Sequence, residues 1–373
     1  MSHNGKETLI ASVRECGRLS RISDLNCDSL TKLSSGKRLL YTNGQSALLY
    51  ENQIVREVQN GVEIHRYEIK DILHFEIKLG NRIIYRNSTD LKDYAYSIED
   101  GAVSPWVAGF KKLVCWNEMP SGYLANYSES QQVFSPSYIA NITHDLTNEM
   151  WSHAKLDILN DCTFYQGYVY EIGSHPFTVR AIAAGDGRVL FEKSDFESVL
   201  GEEAKNIETN DGIRVHGDTI VACLTQNNIL LGIDRHTGEV SWKAEGISGR
   251  KYLATEEGLL YTVYRGHLNT IRISDGEVIA SVKLQSDRFL PDAHPMARML
   301  SGVEFITSTH IFVNWSMGGE LEAYDLKTGE VVFSERLPGC LSKAQVHDGK
   351  LYISTAQMDV ENAEKAYLVY GPG

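Results

Sequence analysis

A short phrase of residues recurs in this chain of 373 residues. It reads Asp234-Arg-His-Thr-Gly238-Glu-Val-Ser-Trp242 and returns as Asp325-Leu-Lys-Thr-Gly329-Glu-Val-Val-Phe333. Asp and Thr side chains can hydrogen-bond the backbone of a turn, and Gly can take the positive φ that ends it. The phrase therefore predicts a β-hairpin, and the residues expected to build the two turns and the strands leaving them are Asp234, Thr237, Gly238, Trp242, Asp325, Thr328, Gly329 and Phe333.

Looser copies of the phrase extend the pattern in both directions along the chain. Asp186-Gly187 and Asp275-Gly276 each precede a β-branched strand, so the turn glycines at 187, 238, 276 and 329 stand 51, 38 and 53 residues apart. Upstream, Asn60-Gly61 and Asp100-Gly101 occupy plausible turns. Recurrence at such intervals is the sign of a repeat architecture.

Each hairpin is preceded by a third short strand such as Thr219-Ile-Val-Ala-Cys223, and by a fourth stretch before that. No long helical period lies between these stretches, which indicates four short antiparallel strands in each unit. Four such strands make one blade of a β-propeller, so the predicted fold class is all-β.

The number of blades follows from counting turns. Seven are favoured and eight are possible, in one β-propeller domain covering 1–373, with clear repeats over 160–371 and degenerate blades over 1–159. The chain ends on a strand at Ala366-Tyr-Leu-Val-Tyr370 with no strand after it. Because closed rings remove exposed edges, we expect the N-terminal and C-terminal strands to pair, through Thr8–Ser12 or Arg38–Tyr41.

These residues resemble the pyrroloquinoline-quinone-like, or quinoprotein-type, β-propeller repeats, whose consensus runs roughly Ala-x-Asp-x-x-Thr-Gly-x-x-x-Trp. The resemblance implies that the final tryptophan packs one blade against the next. Trp242 occupies that place here, while Phe333, Phe191 and Ala280 stand at the matching positions of other copies. The loss of the consensus tryptophan implies an irregular ring held by ordinary apolar packing.

The same resemblance supplies a test for enzymatic activity. Quinoprotein dehydrogenases of this class are typically exported, hold calcium, and commonly carry a disulfide between adjacent cysteines beside the quinone. This chain has six cysteines and no adjacent pair. It also lacks His-Glu-x-x-His, Gly-x-Ser-x-Gly, a phosphate-binding loop and EF-hand spacing. The sequence therefore predicts no enzyme, no catalytic or metal-binding residues and no cofactor.

Charge narrows the choice of partner. Lys plus Arg number 36 against 49 Asp plus Glu, a formal charge of −13. Such a surface repels nucleic acid and anionic membranes and favours a basic protein partner, although acidity also serves solubility alone. The N-terminal residues do not read as a secretory leader, so a cytoplasmic location is expected.

Two irregular loops are the candidate contact surfaces. The segment from Asp195 to Asp211 carries six acids against one lysine, and the residues expected to bind a partner are Asp195, Glu197, Glu202 and Glu203. The second, from Ser286 to Arg298, contributes Phe289, Asp292 and Met296. Aromatic, Met and Arg residues on a loop are typical of interfaces, and an acidic, partly apolar loop suits a basic partner. The alternatives are a solvated helical turn or loop for the first segment and packing over the rim of the ring for the second. An insertion from Tyr138 to Asp161 is open to interpretation as a helix.

The leading hypothesis is a non-enzymatic β-propeller that binds a protein, in particular a bacterial immunity or antitoxin protein that blocks a basic, nuclease-like toxin domain. One alternative is a divergent quinoprotein-type enzyme or small-ligand binder that uses the central channel. Another is a scaffold for an assembly complex.

Overall fold

The computed structural model describes residues 30–35, 37–42, 46–59, 62–79, 81–90, 92–105, 113–128, 137–143, 148–156, 162–174, 176–201, 204, 213–224, 229–247, 252–254, 257–285, 301–315, 320–338, 340–347, 349–356 and 366–372. Within these ranges the backbone is built from short strands, with one short helix between two of them.

In chain order the first seventeen strands are β1 (Leu30–Ser35), β2 (Arg38–Thr42), β3 (Ser46–Glu51), β4 (Ile54–Gln59), β5 (Val62–Glu68), β6 (Ile72–Leu79), β7 (Arg82–Asn87), β8 (Asp93–Ser97), β9 (Val103–Pro105), β10 (Leu113–Met119), β11 (Gly122–Ser128), β12 (Ser137–Ile142), β13 (Glu149–Ala154), β14 (Thr163–Tyr165), β15 (Tyr168–Ser174), β16 (Phe177–Ala183) and β17 (Val189–Lys193).

After the helix α1 (Glu197–Leu200) come β18 (Ile213–His216), β19 (Thr219–Leu224), β20 (Ile229–Asp234), β21 (Val240–Glu245), β22 (Tyr252–Ala254), β23 (Leu259–Tyr264), β24 (His267–Arg272), β25 (Val278–Lys283), β26 (Ser301–Ile306), β27 (His310–Trp315), β28 (Glu320–Asp325), β29 (Val331–Arg336), β30 (Cys340–His347), β31 (Lys350–Ala356) and β32 (Tyr367–Pro372).

These strands form eight four-stranded antiparallel sheets across the described residues, which are the blades of a β-propeller. Blades 1 to 7 are β2–β5, β6–β9, β10–β13, β14–β17, β18–β21, β22–β25 and β26–β29. Blade 8 combines β30, β31 and β32 with β1 as its outermost strand. The all-β class and the four-stranded antiparallel blades predicted from the sequence are confirmed.

Blade 8 closes the ring by joining the two ends of the chain. β1 pairs antiparallel with β32, placing Lys32 opposite Tyr370 and Leu30 opposite Pro372. The expected pairing of terminal strands is therefore present, but the N-terminal partner was wrongly identified. Residues 38–41 belong to β2 of blade 1, and residues 8–12 lie outside the described residues.

The favoured count of seven blades is wrong, because counting hairpin turns misses the blade that closes the ring. In blade 8 the third and fourth strands are β32 and β1, which come from opposite ends of the chain. No turn can connect them, so blade 8 leaves no Asp-Gly phrase in the sequence. Six of the other seven blades carry the glycine turns at 61, 101, 187, 238, 276 and 329, and blade 3 is a degenerate blade whose third and fourth strands are joined without a glycine.

The recurrent phrase forms the turn between the third and fourth strands. Asp234 Oδ1 accepts hydrogen bonds from the backbone amides of His236 (2.9 Å) and Thr237 (2.8 Å), and Gly238 ends the turn with φ +73°. Asp325 does the same for Lys327 and Thr328, and these bonds lower its pKa below the ordinary Asp value.

In the looser copies, the aspartate takes the place of the threonine. The Oδ1 atoms of Asp186 and Asp275 accept from the amides two residues ahead, of Arg188 and Glu277, both at 3.0 Å. Thr237 Oγ1 performs this task for Glu239 in the strong copy, at 3.2 Å. The turn therefore tolerates either residue because each supplies the same acceptor.

Neighbouring blades meet where an outer strand of one packs on the turn glycine of the next. Trp242, on β21, is buried and its Nε1 donates to the carbonyl of Ile273 at 2.8 Å. Its ring lies against Gly276, where an added Cβ would come within 2.6 Å of the ring, and against Gly232 of its own blade. Both glycines are required for this close approach.

Trp151 is a second tryptophan that packs one blade against the next, and it was not predicted from the sequence. It lies on β13, its Nε1 donates to the carbonyl of Ala184 at 2.8 Å, and its ring covers Gly187 of blade 4. Trp151 therefore packs blade 3 against blade 4 as Trp242 packs blade 5 against blade 6.

The helix considered for residues 138–161 is wrong, because the described part of this segment consists of strands and their flanks.

The remaining described junctions use smaller contacts. The ring of Phe191 covers Gly238, and Phe333 meets Tyr370 edge to face with centroids 5.7 Å apart. Ala280 has no aromatic ring, so the Gly329 turn is held instead by Gln285, whose backbone N–H donates to the Gly329 carbonyl at 2.8 Å. The expectation of an irregular ring fits this variety of junctions.

Apolar side chains fill the spaces between blades. One cluster joins Ile172 and Val179 of blade 4 to Ile220 and Leu231 of blade 5, and Phe196 joins the same cluster. Another joins Leu39 and Ala47 of blade 1 to Tyr352 and Val369 of blade 8 across the closure. Burial of this surface supplies the main favourable free energy of the ring.

We predict that Gly276→Ala lowers stability more than Gly246→Ala. Both glycines have positive φ, +74° and +71°, so each substitution carries a backbone cost of about 1 kcal/mol. Only Gly276 also faces a tryptophan ring, whereas a Cβ at Gly246 would meet no atom within 4 Å. The clash adds about 1–3 kcal/mol. Urea unfolding of the two variants measures the difference, and equal losses would show that the Trp242 ring moves aside freely.

Candidate functional site

The predicted acidic segment begins on a short helix that is anchored in the core. After β17 the chain passes Asp195 and forms α1, whose preceding residue Phe196 is buried. The Phe196 ring packs edge to face on Phe177 with centroids 4.8 Å apart, and Leu200 is buried in the same cluster. The apolar residues interleaved among the acids therefore serve packing between blades 4 and 5.

The two acids of this segment that the structure describes are on the surface. Asp195 and Glu197 are exposed, and they stand on either side of the buried Phe196. Lys243, on the outer strand of blade 5, donates from Nζ to the Val199 carbonyl at 3.2 Å. Two blades therefore hold the helix, and its carboxylates project from a fixed base. Glu202 and Glu203 lie outside the described residues.

The second predicted loop falls outside the described residues, together with Phe289, Asp292 and Met296. Its two ends are described. Leu284 is buried, Gln285 holds the Gly329 turn of blade 7, and β26 begins at Ser301. Like the acidic segment, this loop connects the outer strand of one blade to the first strand of the next. Each therefore starts at the end of its blade opposite the third-to-fourth-strand turn.

Arg235 lies at the end of blade 5 that carries the turn between its third and fourth strands, and it forms a site that was not predicted from the sequence. Its guanidinium donates to Gln166 Oε1 (3.0 Å), Asp218 Oδ1 (3.3 Å) and the Tyr170 hydroxyl (3.4 Å). It also lies over the ring of Tyr165, 5.6 Å from the centroid. Only 10% of its side chain is exposed. We call this group, with Tyr168, the Arg235 cluster.

The Arg235 cluster joins blades 4 and 5 by charge and by stacking. His236 and Arg235 both bond Asp218, and these hydrogen bonds lower the pKa of that carboxyl. Burial alone would lower the pKa of Arg235, but the bonds to Tyr170 and Asp218 raise it. Guanidinium suits this place because it bonds in its plane and stacks on rings above it. The tyrosines at 165, 168 and 170 are the sequence signal from which this cluster could have been predicted.

A buried charge pair lies inside blade 4. Glu171 and Arg180 stand opposite each other on β15 and β16, and the guanidinium donates to the carboxylate from two nitrogens. The Leu156 amide also donates to Glu171 (2.6 Å), and Arg180 donates to the Ala154 carbonyl (2.6 Å). Burial raises the pKa of Glu171 against these bonds. The pair ties the strand pair to the chain arriving from blade 3, which is a structural task.

Among the described residues, no three His, Cys, Asp or Glu side chains are placed to hold a metal ion. The single helix described, α1, is four residues long, and no helix in the described part of the chain is long and apolar enough to cross a bilayer.

No protein-family model matches the sequence, and no curated protein matches it at a significant level. Solved structures do match. BamB from Moraxella catarrhalis aligns with a TM-score of 0.54 and 15% identity, over 92% of this chain and 99% of that one. Sqt1 from Saccharomyces cerevisiae aligns at 0.54 and 11%, over 94% and 100%. A quinohemoprotein alcohol dehydrogenase from Comamonas testosteroni aligns at 0.56 and 11%, over 95% and 78%.

These matches define the class of the protein as a β-propeller. The resemblance to the pyrroloquinoline-quinone-like repeat proteins is confirmed as a likeness of fold, since BamB and the quinoprotein dehydrogenases are among the structures that match. At 15% identity and below, the likeness carries the fold alone, and one fold serves many functions. Function has to be argued from the surface of this chain.

We predict that Arg235→Lys destabilises the ring by about 1–2 kcal/mol, because an ammonium cannot bond in a fork and stack at once. His236→Ala is the matched control, since His236 also bonds Asp218 but is half exposed. Its loss should cost less than about 0.5 kcal/mol. Urea unfolding at neutral pH compares the two, and an Arg235→Lys variant as stable as the wild type would contradict the role given to the Arg235 cluster.

Proposed function

We propose that this propeller binds a basic protein partner and catalyses no reaction of its own. The observation that carries the proposal is the pair of exposed carboxylates, Asp195 just before α1 and Glu197 in its first turn, on a segment anchored by Phe196 and Leu200. Charged groups held by a rigid base bind with little loss of conformational entropy. The matching propellers are consistent with such a role without assigning it.

The charge of the whole chain favours the same kind of partner. A formal charge of −13 attracts cationic surfaces and speeds their approach, and it disfavours nucleic acid and anionic membranes as ligands. The predicted acids Glu202 and Glu203 directly continue the segment of Asp195 and Glu197 in sequence. The proposed contact therefore includes all four acids, with Phe289, Asp292 and Met296 as a second contact.

The specific form of the proposal is a cytoplasmic immunity protein that neutralises a nuclease-type toxin. A nuclease needs a basic surface to hold nucleic acid, because phosphates dominate that affinity. An acidic segment on a fixed base competes for the same surface and covers the active site. No catalytic group is required of the inhibitor.

The rival is an enzyme or small-ligand binder that uses the central channel, as the dehydrogenase names among the matching structures suggest. A quinone or calcium ion that bound tightly would raise the midpoint of thermal unfolding by mass action. An increase with either ligand would favour this rival over the proposal. An assembly scaffold would instead bind several partners without inhibiting any of them.

We predict that reversing the acids on the α1 segment weakens toxin binding. The probe is a cationic nuclease-type toxin domain in a catalytically inactive form, titrated by calorimetry. Asp195→Lys with Glu197→Lys should weaken affinity by at least about tenfold at about 0.05 M salt and by less at about 0.5 M, because salt screens exposed charges.

The control is Glu68→Lys with Glu99→Lys. It changes the net charge equally, at exposed acids on blades 1 and 2. An equal loss in both variants would mean that overall charge, and no particular surface, attracts the partner. Unchanged affinity in the α1 variant would remove the segment from the interface, and absence of binding by the wild-type chain would overturn the immunity proposal.

A further inference from the structure

The outer strand of blade 6 exposes both its faces along its first four residues, and all four are uncharged. Val278, Ile279, Ala280 and Ser281 are all exposed along β25. In blades 5 and 7 the third residue of the outer strand is a buried ring, Trp242 or Phe333. A strand that packs on a neighbour hides one face, so such a run marks a strand without a covering neighbour. β5 of blade 1 is also exposed over its first five residues, but Glu63 and Arg66 stand among them.

The cause is the missing ring at Ala280. Without it, the Gly329 turn of blade 7 is held further along the chain by Gln285, which donates to the carbonyls of Gly329 (2.8 Å) and Thr328 (3.1 Å). An added Cβ at Gly329 would clash with the carbonyl of Lys283. The contact has therefore moved to the end of β25, and the described part of blade 7 leaves the first four residues bare.

This edge also lacks the usual protection against pairing with another strand. Exposed edges are normally guarded by charges, prolines or short length. The other described outer strands reach a charged residue or a proline by their fifth residue, as in Glu192 of β17 and Pro105 of β9. β25 reads Val-Ile-Ala-Ser-Val before its first charge at Lys283. Its β-branched residues favour pairing with a further strand.

The two ends of β25 carry opposite charge. At the turn end, Asp275 and Glu277 exceed the single cation Arg272, which bonds both of them at 2.7 and 2.6 Å. At the other end stands Lys283, opposite His267 on β24, with Arg265 two residues before His267. Glu277 and Lys283 are six positions apart, a span of about 20 Å in an extended strand.

We propose that β25 pairs with β25 of a second copy of this chain, antiparallel about a two-fold axis near Ala280. Antiparallel pairing reverses the direction of the second strand, so the acidic end of each copy meets the basic end of the other. Glu277 then lies near Lys283 of the other copy, and Val278 near Val282. The free amides and carbonyls of both edges satisfy each other, and the contact closes on itself as a two-fold interface must.

The small size of Ala280 suits the axis, since two copies of the same residue meet there. One strand pair buries less than the roughly 1,200 Å² of a stable interface, so the dimer should form and dissociate at protein concentrations on the order of 10 μM. Self-association of this kind leaves α1 free, because α1 belongs to the junction of blades 4 and 5.

Sedimentation equilibrium of the full chain at physiological salt, over about 1–200 μM, tests the proposal. Ile279→Lys should weaken dimerisation at least about tenfold, because it places a charge on the pairing edge. Leu190→Lys is the matched control: Leu190 is the second residue of β17 and is 42% exposed, against 44% for Ile279. Circular dichroism and thermal unfolding confirm that both variants fold.

A charge exchange separates self-pairing from pairing with a different protein. Glu277→Lys and Lys283→Glu should each weaken the dimer severalfold, and the two changes in one chain should restore it, because both new pairs are again opposite in charge. A wild-type chain that stays monomeric throughout would overturn the proposal. So would an Ile279→Lys chain that dimerises as the wild type does, or a double variant that remains as weak as the single ones.

Discussion

The close approach of an outer-strand side chain to the turn glycine of the next blade is the contact on which the ring depends. The contact needs a residue without a Cβ, and the same residue must take positive φ to end its hairpin. Gly276 meets both conditions beneath Trp242, and Gly187 meets them beneath Trp151. One residue type therefore solves the turn within a blade and the packing between blades, which is why the phrase recurs.

Variation in this contact gives the ring its individual features. Successive junctions are held by a tryptophan, by a phenylalanine or by hydrogen bonds from Gln285. Each kind of junction leaves a different surface exposed. Blades 4 and 5 are joined at one end by the Arg235 cluster and at the other by the buried anchor of α1. The exposed acids of α1 therefore stand on a firmly connected pair of blades. Blade 6, whose outer strand lacks a docking ring, exposes an apolar edge instead.

The hairpins were predictable because their hydrogen bonds join residues two to four positions apart. Asp234 and Thr237 reach only the amides of their own turn, so the local sequence suffices. The eighth blade was not predictable in this way, since β1 and β32 share no turn. Trp151 was missed because no Asp-x-x-Thr-Gly phrase precedes it, whereas such a phrase stands directly before Trp242.

For the candidate site, the sequence located the acidic segment but misjudged the use of its apolar residues. Phe196 and Leu200 pack inward, while the carboxylates of Asp195 and Glu197 remain on the surface. By itself, then, the sequence determined the strands, the turns and the net charge, because these follow from neighbouring residues and composition. Tertiary structure alone decided the number of blades, the partners at each junction and which apolar residues stay exposed, because each depends on contacts between residues far apart in the chain.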